Sequence, residues 1–331
     1  MIPMFKNHLA TLSDLVGQPT INKRLDFAIK VYKKKREQGK KTPFETTMFT
    51  GASGLGKTLT ANILHNELDN RDPDGNRVRI KDINGTQISS NAQLVSLLLN
   101  AKDHDTIFFD ESHMLSKEAQ NLLLTVIEKR IIEVNVAPTG ENGATSETLD
   151  LSNFTLILAT TDLGQMIPAL RGRFGASELV FKPYTTDYMT EILQMRLAAT
   201  DFSASKDVLD SISYRACNIP RTAILYLYKI TDMAMINDVT VISESHVNDI
   251  FSMLEIDKHG FKEQDLEYLK LLKNNKEVAL SVLAGSLNIA KVTITETIEP
   301  ALFKRRLITK TDSSKRSLTP EGRRILETSA A

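Results

Sequence analysis

The stretch GASGLGKTLT, residues 51–60, constrains this chain more than any other part of it. Its skeleton is G-x-x-x-x-G-K-[ST], running from Gly51 through Gly56, Lys57 and Thr58, which is the spacing of a phosphate-binding loop. Such a loop needs a buried strand before it and a helix after it, so that backbone N–H groups and the positive helix end converge on phosphate. The apolar run TTMFTG (46–51) supplies the strand, and a helical pattern starts at Lys57. Gly54 and Gly56 allow close approach of the backbone, Lys57 would neutralise the β- and γ-phosphates, and the Thr58 hydroxyl would ligate Mg²⁺. A bound nucleoside triphosphate follows from the loop; what its hydrolysis drives does not.

At 331 residues the chain has room for two or three domains, and 41% hydrophobic with 25% charged residues is the mix of a soluble globular protein. Lys+Arg and Asp+Glu both number 41, so no global positive field draws in nucleic acid and any such site must be local. The single cysteine, Cys217, excludes an intrachain disulfide framework and suits a reducing compartment. The N-terminus, MIPMFKNHLATL, lacks the apolar core of a signal peptide, and no later segment reads as a membrane span. The expected location is the cytoplasm.

Three sections separate along the chain, with expected boundaries at 1–184, 185–255 and 256–331. In the first, the apolar runs TTMFTG, TIFFDE (106–111) and FTLILATT (154–161) alternate with helical patterns, the rhythm of a parallel sheet with covering helices. The second reads as all-helical, through TDYMTEILQMRLAA, KDVLDSISYRAC, RTAILYLYKITDMAMI and SESHVNDIFSML. In the third, three short helices precede two strands (RLITKT and KRSLT) and a closing helix, EGRRILE, the pattern of a winged helix. The fold class is therefore α/β, with a helical domain and a winged helix appended.

Chemistry concentrates at the strand ends. Asp110 closes an apolar strand and would hold Mg²⁺, while Glu111 beside it would polarise the attacking water. His113 completes a D-E-x-H string and by itself reads as structural. Thr161, after the third run, would place a hydroxyl near the γ-phosphate. Arg173, in LRGRFG, would act as an arginine finger toward a neighbouring subunit, with Arg171 as second candidate. Arg221, in NIPRTA, would reach the γ-phosphate from the helical domain.

In that order these elements resemble an AAA+ ATPase, and within that class the chain is similar to the RuvB family of Holliday-junction branch-migration motors. LSDLVGQ (12–18) resembles the family's adenine-side motif, and GLGKT, FFDESH, FTLILATT, PALRGRFG and IPRTA follow in order, with IDKHGF (256–261) and TIEPALFKRRLI (297–308) leading into the wing. The resemblance implies an AAA+ core, a helical lid and a winged helix, with ATP and Mg²⁺ as cofactors. It also implies a homohexamer that translocates duplex DNA beside a RuvA-like junction-binding partner. The implied nucleotide contacts are Val16, Gly17, Gly51, Gly54, Leu55, Gly56, Lys57, Thr58, Leu59, Asp110 and Arg221, with Thr58 and Asp110 as metal ligands. Ala52 and Ser53 stand where the family usually has prolines, which removes no donor from the loop. IIEVNVAP (131–138) and TLDLSNF (148–154) correspond to the family's partner-docking hairpin, with a polar tip, TGENGATSE, unlike the apolar core of an interface.

From Lys291 onward, basic residues exceed acidic ones, and Arg305, Arg306, Lys310, Lys315 and Arg316 are the expected DNA contacts, suited to phosphate binding without sequence preference. The run KKKREQGKK (33–41) reads as a solvated helix face. A clamp-loader-like or initiator-like switch shares the same motifs, and a protein remodeller with a protein-gripping winged helix is the alternative from another class. GTP specificity is disfavoured, because no N-K-x-D follows the loop.

Overall fold

Four consecutive buried residues make β1 (Thr47–Thr50), a strand too apolar for a sheet edge open to water on either face. In the computed structural model, which describes residues 11–40, 42–71, 75, 77, 78, 80–136 and 145–329, β1 lies inside a five-stranded parallel sheet. The other members are β2 (Ile80–Asn84), β3 (Thr106–Asp110), β6 (Thr155–Thr160) and β7 (Glu178–Val180), in the order β2-β3-β6-β1-β7. Thr50 pairs with Thr160 and Phe109 with Leu158, so β1, β3 and β6 end at one level of the sheet. Ligands of open parallel sheets bind outside such carboxyl ends.

Helices cover the sheet for identifiable reasons. In α1 (Pro19–Glu37), Ile21, Leu25, Ile29 and Tyr32 recur on one face and are buried, with proline in the first turn. Helix α2 (Lys57–Leu68) follows the phosphate loop, α3 (Asn91–Leu99) is capped by the Ser90 hydroxyl, and α4 (Lys117–Lys129) by that of Ser116. The core between α3, α4 and the sheet is built from Leu94, Leu98, Leu123, Val126, Ile107, Phe109, Phe154 and Leu158, all fully enclosed. Short α5 (Pro168–Phe174) joins it through Leu170 and Phe174.

Between β3 and β6 the chain makes an antiparallel hairpin of β4 (Ile131–Val136) and β5 (Thr145–Asp150), in register from Ile131 with Asp150 to Val136 with Thr145. The second strand starts at Thr145, three residues before the apolar pattern suggests. Most of the expected tip, residues 139–144, lies outside the described residues. Arg130 pins the base of the hairpin: its backbone is left-handed, its guanidinium stacks on Phe154 at 4.9 Å, and it donates to the Phe154 carbonyl at 3.0 Å.

The chain divides into two compact units, one ending at residue 183 and the other starting at 184. The second begins with α6 (Thr186–Leu197), α7 (Lys206–Arg215), α8 (Pro220–Ile236) and α9 (Glu244–Met253). It is not purely helical, because β8 (Ser203–Ala204) pairs in parallel with β9 (Val241–Ile242). The same unit continues into α10 (Glu263–Asn274), α11 (Leu280–Leu287) and α12 (Lys291–Thr293), then a π turn over Ile294–Ile298 and α13 (Glu299–Lys304). Pro300 explains the π turn: it has no N–H to donate and its ring crowds the carbonyl four residues back. The hairpin of β10 (Ile308–Lys310) and β11 (Arg316–Leu318) and the closing α14 (Pro320–Ser329) complete a winged helix around Tyr268, Leu269, Leu272, Leu283, Ile298 and Leu302.

Candidate active site

The phosphate loop leaves β1 at Gly51 and enters α2 at Lys57. Gly54 and Gly56 have φ of +79° and +97°, and Gly56 caps α2 without any side-chain hydrogen bond, so the first N–H groups of the helix face outward as an anion cradle. Lys57 is 6% exposed, and its Nζ donates to the carbonyls of Gly51 and Ala52 at 2.7 and 3.0 Å. A buried ammonium needs such acceptors, and a phosphate would offer stronger ones. Leu55 is buried and Leu59 half-buried, so both pack rather than present polar groups. The Thr58 hydroxyl donates to Asp110 Oδ2 at 3.0 Å across the gap between the loop and the end of β3. A hydroxyl and a carboxylate at that separation are hard oxygen donors of the kind Mg²⁺ takes, so the donor set fits the nucleotide and metal expected of it.

Upstream, Gly17 has φ +80°, and the Gln18 side chain beyond it is buried. Gln18 Nε2 donates to the Lys182 carbonyl at 2.8 Å and its Oε1 accepts from the Lys182 N–H at 3.2 Å. The backbone N–H of Leu12 donates to Glu67 on α2 at 3.0 Å. Val16 and Gly17 are thereby fixed between α2 and the segment after β7.

Glu111 follows Asp110 with φ +47° and ψ +47°, a left-handed conformation uncommon for a residue with a Cβ. The turn is held from below by Gly85, where an added Cβ would lie 2.4 Å from the Glu111 carbonyl oxygen, so no larger residue fits. Thr161 donates its hydroxyl to Glu111 Oε2 at 2.7 Å and its N–H to the same oxygen at 3.3 Å. His113 Nδ1 lies 3.3 Å from that oxygen and 3.0 Å from Thr160 Oγ1. Thr161 thus reaches the Glu111 carboxylate, a contact that the linear string LATT gives no hint of. The carboxyl of Asp82, on the edge strand, is raised above the ordinary range by burial and then by the charge of Asp110.

Arg173 projects from α5, half-exposed, and its guanidinium pairs with Glu128 of α4. α5 is docked by buried Gln120, which donates to the Leu115 carbonyl at 3.0 Å and accepts from the Ile167 N–H at 2.8 Å. Nε of Arg171 is buried with no hydrogen-bond partner among the described residues. Arg221, in the second unit, is exposed in the first turn of α8.

The five expected DNA contacts divide. Arg306, Lys310 and Lys315 are exposed; Lys310 lies over the Phe303 ring at 5.6 Å, and Lys315 is 3.9 Å from Glu277. Arg316 is corrected: it is buried, and its Nε meets Glu299 Oε1 at 2.6 Å while Tyr268 donates to the same carboxylate at 2.9 Å. Its guanidinium is spent inside the module. Arg305 is half-buried: it stacks between the rings of Tyr214 and Phe261 at 4.6 and 4.9 Å and donates to the carbonyls of Tyr214 and His259. It fastens the winged helix to α7 of the lid, helped by Lys304, which donates to the Cys217 carbonyl at 2.6 Å.

Residues 8–180 match the family model of the Holliday junction DNA helicase RuvB P-loop domain, and residues 258–327 that of the RuvB C-terminal winged helix domain. The chain belongs to the RuvB family. Among curated relatives, the Holliday junction branch migration complex subunit RuvB of Campylobacter concisus is 31% identical over 302 residues, 90% of this chain and 84% of that protein. The protein of the same name from Mesomycoplasma hyopneumoniae is 29% identical over 320 residues, 96% and 95% of the two chains. Of solved structures, the Thermotoga maritima RuvB Holliday junction branch migration motor superposes with a TM-score of 0.78 at 26% identity, covering 96% of this chain and 97% of that one. The P-loop core and winged helix read from the motifs are those of the RuvB family. No helix among the described residues is long and apolar enough to cross a membrane.

Proposed function

We propose that this chain is the ATP-driven motor of a homohexameric ring that translocates duplex DNA and drives branch migration of Holliday junctions. One observation carries the reading: Lys57, Thr58, Asp110, Glu111 and Thr161 gather at the carboxyl end of the sheet in a chain of the RuvB family. Bound ATP with Mg²⁺ supplies the phosphoryl group and the charge that neutralises its oxygens. Lys57 would exchange its loop carbonyls for phosphate oxygens, and Thr58 with Asp110 would hold the metal. Glu111 would orient a water and take its proton, with Thr161 holding the carboxylate. Arg173 would leave Glu128 for the site of the neighbouring subunit, and Arg221 would report nucleotide state to the lid. Arg306, Lys310 and Lys315 would track DNA phosphates.

The relatives are named as subunits of a branch migration complex, and we assign the hairpin at 131–154 as the docking element for a RuvA-like junction-binding partner. The cytoplasm is the proposed place of action. The test is the ATPase rate with and without four-way junction DNA, for the wild type and for Glu111→Gln. DNA should stimulate hydrolysis, and the variant should lose about a hundredfold or more of it. A rate indifferent to both duplex and junction DNA would remove the motor reading.

A further inference from the structure

A carboxylate can orient a water only if its own direction is fixed. The backbone of Glu111 is fixed: Gly85 packs under its carbonyl, the N–H of Met114 donates to that carbonyl at 2.9 Å, and the Ser112 hydroxyl donates to the Ala159 carbonyl at 2.9 Å. The side chain retains its rotatable bonds, and the groups around Oε2 decide where it points. Two of them, the hydroxyl and the N–H of Thr161, come from the end of β6. The third is His113, in the 3₁₀ turn Ser112–Met114 directly after Glu111, with a side chain only 9% exposed.

The His113 ring is itself anchored. Nδ1 contacts Thr160 Oγ1 at 3.0 Å, and that oxygen accepts from the Asp162 N–H at 3.1 Å. A carboxylate can only accept, so a proton on Nδ1 faces two acceptors, Thr160 Oγ1 at 3.0 Å, where the hydrogen bond is, and Glu111 Oε2 at 3.3 Å, a longer polar contact. The imidazole therefore spans the end of β6 and the catalytic carboxylate. The Thr161 hydroxyl, by contrast, is a group that a terminal phosphate would also claim, and a hydroxyl has one proton to donate.

We propose that His113 is a positioning residue for hydrolysis, holding the Glu111 carboxylate against the end of β6 so that it stays aimed when the Thr161 hydroxyl turns to another acceptor. This rests on the nucleotide-hydrolysing reading above and adds a residue that the D-E-x-H string leaves structural. The histidine does not touch the reacting atoms; it acts through Glu111.

The test compares His113→Asn, whose side-chain amide nitrogen can stand where Nδ1 stands, with His113→Leu, which fills the space without a donor. His113→Leu should lower kcat about tenfold with KM for ATP changed by less than about twofold, and His113→Asn should restore most of the loss. Equal losses in both variants, or a wild-type rate in His113→Leu, would overturn the proposal. A second reading needs no turnover: long-range ¹H–¹⁵N NMR of the imidazole in the nucleotide-free protein, with His113 assigned among six histidines through its variants. The Nδ1 signal should move in Glu111→Gln and in Thr161→Val; a signal unmoved by Glu111→Gln would contradict the contact. Because the kinetic arm is read on the basal rate, DNA-indifferent hydrolysis would sink the motor reading and leave this comparison intact.

Discussion

His65 shows how one side chain far from the phosphates can matter to the loop that binds them. It lies in the last turn of α2, whose first turn carries Lys57 and Thr58. Nε2 donates to the Val78 carbonyl at 2.8 Å, because a carbonyl can only accept, which leaves Nδ1 to accept from the Thr106 hydroxyl at 2.9 Å. Burial lowers its pKa first, and the nearby Arg77 charge adds to the effect, against the Val78 carbonyl and Asp105. The sign follows from linkage: the folded state binds the proton less readily than the unfolded chain. Stability is complete above the ordinary value near 6.5 and is lost as pH falls from there through the depressed folded value. Melting followed against pH should therefore show the wild type losing more on acidification than His65→Gln, which keeps a donor for Val78 and does not titrate. Parallel pH curves for the two proteins would refute this.

At the scale of elements, the wing is held by a buried ion pair. Arg316 on β11 and Glu299 at the start of α13 are 6% and 2% exposed, and Tyr268 of α10 closes the network with its hydroxyl. Burial and the adjacent carboxylate push the Tyr268 hydroxyl far above the ordinary tyrosine range, so it stays a donor. Removing one partner of such a pair strands the other charge. Arg316→Met alone should cost about 3–5 kcal/mol in chemical denaturation, while the double variant with Glu299→Leu should recover most of it. If the double variant recovers none of the loss, the cost of Arg316→Met is not that of a stranded Glu299 charge.

The same elements show what local pattern can and cannot tell. The phosphate loop, the buried strands that end at Asp110 and Thr161, and the helix trio ahead of the wing were legible because each is a local sequence with its own period. The basic run makes Arg316 an expected DNA contact, although strand alternation puts it on the face of Leu318, which is buried. Glu299 sits in the apolar stretch IEPALF, and that mismatch was the available signal. Arg305 next to Arg306 carries none, because only the placement of Tyr214 on α7 beside His259 and Phe261 decides which guanidinium turns inward. The pair β8–β9 is two residues long on each side, too short to show a period at all. The hold of Thr161 and His113 on Glu111 depends on β6 lying beside β3, a sheet order that no local pattern specifies.

For the whole molecule, equal numbers of acidic and basic residues mean that DNA must be held by local groups, and binding through the proposed contacts Arg306, Lys310 and Lys315 should weaken steeply with salt. Arg173 is half-exposed on α5 and paired within its own chain, and its proposed use in a neighbour's site would make hydrolysis depend on assembly. Both expectations meet in one assay, the ATP-dependent dissociation of a synthetic four-way junction by the purified chain, run beside Arg173→Ala. The account predicts that the wild type converts the junction to duplex arms while ATP lasts and that Arg173→Ala does not. A junction left intact by a wild-type protein that hydrolyses ATP at its full DNA-stimulated rate would contradict it.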